Sequence, residues 1–129
     1  MSEVLRVDGN RPWAAIVGYS RAVKMGNLIE VSGTTATTRE GVVICPKDPY
    51  GQMKYILAEV EKAVEELGAT FANTIRTRIF FTDIEDWPEV AKAHGEYFAS
   101  IMPPCSFVGG AQLMLPDLRV EFEATLWVD

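Results

Sequence analysis

The sequence predicts an α+β fold: one mixed sheet with two helices packed on one face. Two observations carry this. The elements read in the order β-β-β-α-β-α-β-β, and three strands before the first helix break the strict alternation of a doubly wound parallel sheet. Each helix also has a single apolar stripe, so each has one face to bury. With no third helix to cover the other sheet face, self-association is expected to cover it. The 129 residues suit one domain with one core, spanning 1–129.

Val4 to Arg6 is read as a short edge strand, followed by the turn cluster Asp8-Gly9-Asn10-Arg11-Pro12. Trp13 to Met25 is apolar and small. Part of it is expected to be a strand, with Gly18 marking a bulge or a close approach. Gly26-Asn27 separates two apolar runs, which is a hairpin signal. The reading is strand Tyr19–Met25, turn, strand Leu28–Thr34. Thr35 to Tyr50 has no sustained period and reads as a loop of a length that is often functional.

Met53, Ile56, Leu57, Val60, Ala63, Val64 and Leu67 fall at helical spacing, and Gly68 is a natural stop. Thr74 to Thr82 alternates as the strongest strand. Asp86-Trp87-Pro88-Glu89 reads as a helix start, with Asp86 capping and Glu89 completing an acidic capping box. Trp87, Val90, Ala91, Phe98 and Ile101 form its stripe, and Met102-Pro103-Pro104 stops it. Ser106–Leu113, the turn Leu115-Pro116-Asp117 and Val120–Ala124 then read as strand, turn, strand.

That closing hairpin draws attention because Val120–Ala124 puts two carboxylates, Glu121 and Glu123, on one face. The structural alternative is an ion pair with Arg76 and Arg78, whose i, i+2 spacing matches.

The bulk numbers exclude several classes. A net charge of −6 disfavours a phosphate-coated partner, so no nucleic acid is expected. Two cysteines, Cys45 and Cys105, make neither a disulfide framework nor a zinc spacing. The sole histidine, His94, cannot anchor a metal by itself, so no metal is expected. No run has signal-peptide or membrane-spanning length, so a cytoplasmic protein with no membrane partner is expected.

Three blocks carry a resemblance: G-Y-S-R-A-V-K-M-G-N-L-I-E-V-S-G, R-T-R-I-F-F-T-D-I-E-D-W and V-E-F-E-A. In order and spacing they resemble the RidA family, also called YjgF/YER057c/UK114. The resemblance covers nearly the whole chain. It implies a chorismate-mutase-like fold, a homotrimer, and small-molecule clefts between subunits. It also implies hydrolysis of reactive enamines and imines to ketone and ammonia, without a cofactor. Such intermediates arise from pyridoxal-phosphate enzymes.

Carried over by position, the family's cleft tyrosine falls on Tyr19, and the serine before glycine falls on Ser32. The structural alternatives are a packed ring for Tyr19 and a backbone-bonded hydroxyl for Ser32. Gly33 offers a backbone amide to a ligand. The water-positioning glutamate falls on Glu121; Glu123 is read as structural.

One departure matters. Where the imine hydrolases of the family carry a substrate-binding arginine, this chain has Cys105. A thiol carries no positive charge in any protonation state. Losing a charge-assisted bidentate contact costs on the order of 3 kcal/mol. The archetypes' asparagine and glutamate fall on Ala91 and Gly109. Weak activity on 2-iminoacids is therefore expected. The alternative is a trimer that binds a small metabolite without turnover. A ribonuclease name is also attached to the family, and the acidic balance argues against that activity.

Among further candidates, Cys105 is read as pocket lining, core packing or a nucleophile, and His94 as an exposed or interfacial helix residue. Gly109-Gly110 is read as a bulge, a close contact or an anion nest. Trp13, Trp87 and Trp127 are scattered, which favours packing. Arg39 is a candidate replacement anion anchor.

Overall fold

The computed structural model describes residues 3–129. Six strands form one sheet in the order β1-β2-β3-β6-β4-β5: β1 Val4–Asp8, β2 Ser20–Met25, β3 Leu28–Thr35, β4 Thr74–Phe81, β5 Cys105–Val108 and β6 Val120–Trp127. All neighbours are antiparallel except β4 and β5. The helices are α1 Ala14–Val17, α2 Pro49–Glu66 and α3 Trp87–Phe98.

The α2 stripe is buried as its spacing predicts, from Met53 through Val64, with Leu67 buried just past the helix end. It meets Ile29, Ile79, Phe81, Phe122 and Leu126 of the sheet, and Val90 and Phe98 of α3. Fully burying one such side chain contributes about 1.5–3 kcal/mol. The helix starts earlier than its apolar stripe. Asp48 caps it by accepting the Gly51 N–H at 3.0 Å, and Pro49 occupies the first turn.

Several expectations are corrected. The closing strand–turn–strand is not a hairpin. β5 leaves the sheet edge at Val108, and β6 inserts between β3 and β4. β5 pairs in parallel with β4 because α3 carries the chain back across the sheet, a βαβ unit. The expected strand Ser106–Leu113 therefore shrinks to Cys105–Val108. A β-carbon on Gly109 would fall 2.7 Å from Ile84 and 3.2 Å from the Phe81 ring, so this glycine permits close packing. Gly110, at φ 75°, then turns the chain away.

Gly18 marks no bulge. It is the left-handed C-cap of the short helix α1, at φ 85°, which leaves Tyr19 just ahead of β2. At the start of α3, Asp86 makes no capping hydrogen bond. Its carboxylate takes a charge-assisted bond from Arg119 at 2.7 Å instead, and Asp83 caps the preceding 3-10 turn.

Two loops are tied together by one buried amide. The Gln52 side chain donates to the carbonyls of Cys45 and Asp117 at 3.0 and 2.9 Å. It also accepts the Arg119 N–H at 2.8 Å. No helix among the described residues is long and apolar enough to cross a membrane.

Candidate functional site

The sheet face away from the helices holds the candidate site, at the end where β3 meets β6. Register explains how the residues arrive there. Val31 pairs with Ala124 and Thr34 with Phe122, so Ser32 and Gly33 together oppose Glu123 alone. This is a β-bulge, and it bends β3 toward Glu121. Thr35 pairs with Glu121 just beyond it.

Tyr19, Ser32, Gly33 and Glu121 therefore line one cleft of about 270 Å³. The sequence pattern alone did not place Trp13, Val17, Thr35 and Met114 there, and they complete the walls. Val17 comes from α1 and Trp13 from the N-cap position just before it; the signal for this helix was present in the capping Gly18. Met114 sits in an irregular segment with no periodicity to mark it.

Gly33 is required for contact with the acid. A β-carbon there would occupy the space of Glu121 Oε2. Burial pushes the Glu121 carboxyl above its ordinary range; Glu123 adds to this, and Arg21 opposes it. The carboxylate has no ion-pair partner among the described residues. Register explains why. β4 places Phe80 opposite Glu121 but Arg78 opposite Glu123, and Arg78 meets Glu123 at 3.4 Å. Arg76 bonds Ser106 instead. The two carboxylates thus differ: one is paired, the other free.

Arg21 lies outside the cleft, lining a separate hollow with Glu59, Lys62 and Glu66 of α2. It is 7% exposed and donates to Gly9 O at 3.0 Å, Gly33 O at 3.2 Å and Thr34 Oγ1 at 2.9 Å. Its guanidinium lies 5.5 Å from the centroid of the Tyr19 ring. Thr34 in turn donates to Ser32 O at 2.8 Å, which locks the bulge. Ser32 donates its hydroxyl to Ser20 O at 2.6 Å, leaving oxygen lone pairs for the cleft.

Cys105 stands elsewhere in the protomer. It lies on β5, two strands away from β6, and pairs with Thr77 of β4. The Thr77 hydroxyl is 3.0 Å from His94 Nε2, on the helix-packed face. Burial lowers the His94 pKa to about 4, so the ring is neutral and stacks on Phe98 at 4.5 Å. Arg39 is exposed and does not line the cleft. Its loop does touch the cleft wall, since Gly41 packs against the Trp13 ring.

Among the described residues, no group of three or more His, Cys, Asp or Glu side chains is placed to hold a metal.

Comparison with known proteins agrees with this architecture. The chain is 37% identical to the Mycobacterium tuberculosis protein Rv2704, a member of the YjgF/YER057c/UK114 family. That alignment covers 98% of this chain and 100% of the other, with a TM-score of 0.87. The E. coli YjgF gene product matches at 27% identity and a TM-score of 0.79, over 95% of this chain and 98% of its own. An uncharacterized Streptomyces coelicolor protein is 35% identical over 100 residues, 78% of this chain and 74% of that protein. A RutC family protein of Pyrococcus abyssi is 28% identical over 106 residues, 82% of this chain and 83% of that protein. Residues 9–128 match the family described as Endoribonuclease L-PSP, and with the fold and these relatives in agreement, the chain belongs to that YjgF-type family.

Proposed function

We propose that this protein is a small-molecule hydrolase acting on imines or enamines, with Glu121 as its acid–base group. The observation that supports this best is the free, partly buried Glu121 carboxylate in the cleft formed by Tyr19 and the Ser32–Gly33 bulge. A group that both takes and gives a proton works best when its pKa lies near the working pH, and burial moves Glu121 in that direction.

The step balances as follows. Water attacks the carbon of a protonated imine, and a C–O bond forms as Glu121 accepts a water proton. Glu121 then protonates the nitrogen of the resulting carbinolamine. The C–N bond breaks as the carbinolamine hydroxyl returns a proton to Glu121. Carbonyl compound and amine leave, and the amine carries away the second proton. The Tyr19 hydroxyl and the Ser32 oxygen orient the substrate.

The proposal includes one domain over 1–129 and a homotrimer with the clefts between subunits. The helix-free sheet face, with Val23, Glu30, Arg78 and Glu123 around a hollow of about 430 Å³, supports association on that side. It also includes a cytoplasmic setting, which suits the two free, exposed thiols. RNA cleavage is not proposed, since the net charge of −6 offers little to phosphates.

The test is imine breakdown monitored with semicarbazide, which traps whatever imine survives. Addition of the protein should reduce trapping, and Glu121→Gln should abolish that effect. If ligands shift the melting temperature while no imine is consumed, the cleft is a binding site without turnover.

A further inference from the structure

We infer that Arg21 is a positioning residue of the candidate site: held on the helix side of the sheet, its guanidinium fixes the gap between Tyr19 and Glu121. The inference rests on the hydrolase reading above and names a residue that governs that chemistry from outside the cleft.

Two neighbouring bulges put Arg21 there. On β2, Ala22 pairs with Val7 and Ser20 with Asp8, so Arg21 has no partner on β1. A bulged residue escapes the alternation of its strand. Arg21 therefore points the same way as Ala22, toward α2, where Glu59, Lys62 and Glu66 lie around it. The second bulge, Ser32–Gly33 of β3, begins one residue past Val31, the partner of Ala22.

Each terminal nitrogen of the guanidinium serves one side of the cleft. Nη1 donates to Gly33 O at 3.2 Å and to Thr34 Oγ1 at 2.9 Å, so it holds the bulge against which the Glu121 carboxylate rests. Nη2 donates to Gly9 O at 3.0 Å. Gly9 backs the Tyr19 ring, since a β-carbon on it would fall 3.2 Å from Tyr19 Cε2. The guanidinium also lies 5.5 Å from the centroid of that ring. The planar group fixes the angle between its two arms, so Tyr19 and Glu121 are both referred to one rigid body.

Burial points the same way. Arg21 is 7% exposed and has no salt bridge among the described residues. Burying a charge is unfavourable unless its hydrogen bonds compensate, and a hydrocarbon side chain would fill this space without that cost. Arg21 makes all of these contacts within its own protomer and does not line the cleft, so a residue contributed by a neighbouring subunit leaves the bracket unchanged.

The test uses Arg21→Lys, Arg21→Gln and Thr34→Val, with melting curves to establish that each variant folds. Arg21→Lys keeps a cation but loses the fork, and its imine-hydrolysis rate should fall about tenfold or more. Arg21→Gln loses the charge as well. Burial and Glu123, on the same strand, raise the Glu121 pKa, and Arg21 on β2 opposes them; Arg78 on β4 is engaged by Glu123. The Glu121 midpoint in Arg21→Gln should therefore move to higher pH, and the rising limb of the rate with it. NMR of protein carrying carbon-13 glutamate carboxyls reads that midpoint, with Glu121→Gln assigning the signal. A purely structural residue would change the melting temperature alone. A native rate in Arg21→Lys, or an unmoved midpoint in Arg21→Gln, would overturn the inference. Thr34→Val leaves Arg21 in place and takes one acceptor from Nη1. Should the Arg21 variants not fold, a loss of about threefold or more in Thr34→Val supports the bracket and a native rate overturns it. Should the native protein consume no imine, the hydrolase reading fails, and the carboxyl midpoint alone decides whether Arg21 governs Glu121.

Discussion

The Glu121 carboxylate rests against the α-carbon of Gly33, in space that any side chain at position 33 would fill. The contact joins β6 to the bulge of β3.

Gly33→Ala follows from this contact. The obstructing atoms belong to the mobile end of a side chain, so the fold should survive with a melting shift within about 4–8 °C. Glu121 must turn away, and the imine-hydrolysis rate should drop by about tenfold or more. Melting curves and the trapping assay on the same sample separate the two effects. A variant with full activity would show that Glu121 works from another position.

The pH behaviour of Glu121 has a definite sign. Its folded pKa lies above the ordinary value of 4.5 because of burial and Glu123. The folded state therefore holds its proton more tightly than the unfolded state. Stability from this group is greatest below 4.5 and declines as pH rises through the folded pKa. Glu121→Gln should remove that decline, making the variant relatively more stable at neutral pH. Urea midpoints at pH 4 and pH 7 for both proteins check this. Activity that needs the carboxylate should rise with pH through the same raised midpoint.

His94 has the opposite sign. Its pKa falls from 6.5 to about 4 because the ring is buried against Phe98. Its contribution is fully present above 6.5 and is lost as pH falls toward 4, where the buried ring must charge. His94→Gln should therefore lose less stability than the native protein between pH 7 and pH 4.5. Denaturant titrations at the two pH values give the comparison.

Gln52→Leu tests the link between the loops. The substitution keeps the volume but leaves the Cys45 and Asp117 carbonyls and the Arg119 N–H without this partner. The expected destabilisation is about 2–4 kcal/mol, since each unsatisfied buried group costs about 1–3 kcal/mol. Equilibrium unfolding in urea measures it. A loss under about 0.5 kcal/mol would mean that water replaces the amide.

Much of the architecture was legible because it rests on local periodicity. The α2 stripe and the alternation of β4 and β6 declare which side faces the core, whatever the neighbours. The partner of each strand is a different matter. Glu121 and Glu123 look equivalent in V-E-F-E-A, and only the register with β4 gives Arg78 to one and Phe80 to the other. The bulge likewise depends on how β3 meets β6, and V-S-G-T-T shows only a small residue and a glycine. Tyr19, Ser32, Gly33 and Glu121 do share a cleft. Cys105 lies two strands from β6, because the closing segment crosses the sheet rather than folding back as a hairpin.

The placement of β6 also bears on how the chain folds during synthesis. It is the last strand in chain order, yet it sits between β3 and β4 in the sheet. Until it emerges from the ribosome, β1-β2-β3 and β4-β5 are two separate ribbons, each with an open edge where β6 will pair. Long-range pairing of this kind slows folding, and exposed edges invite aggregation. A nascent chain stalled before Val120 should therefore depend on chaperones, and the native sheet should form only after translation passes Trp127.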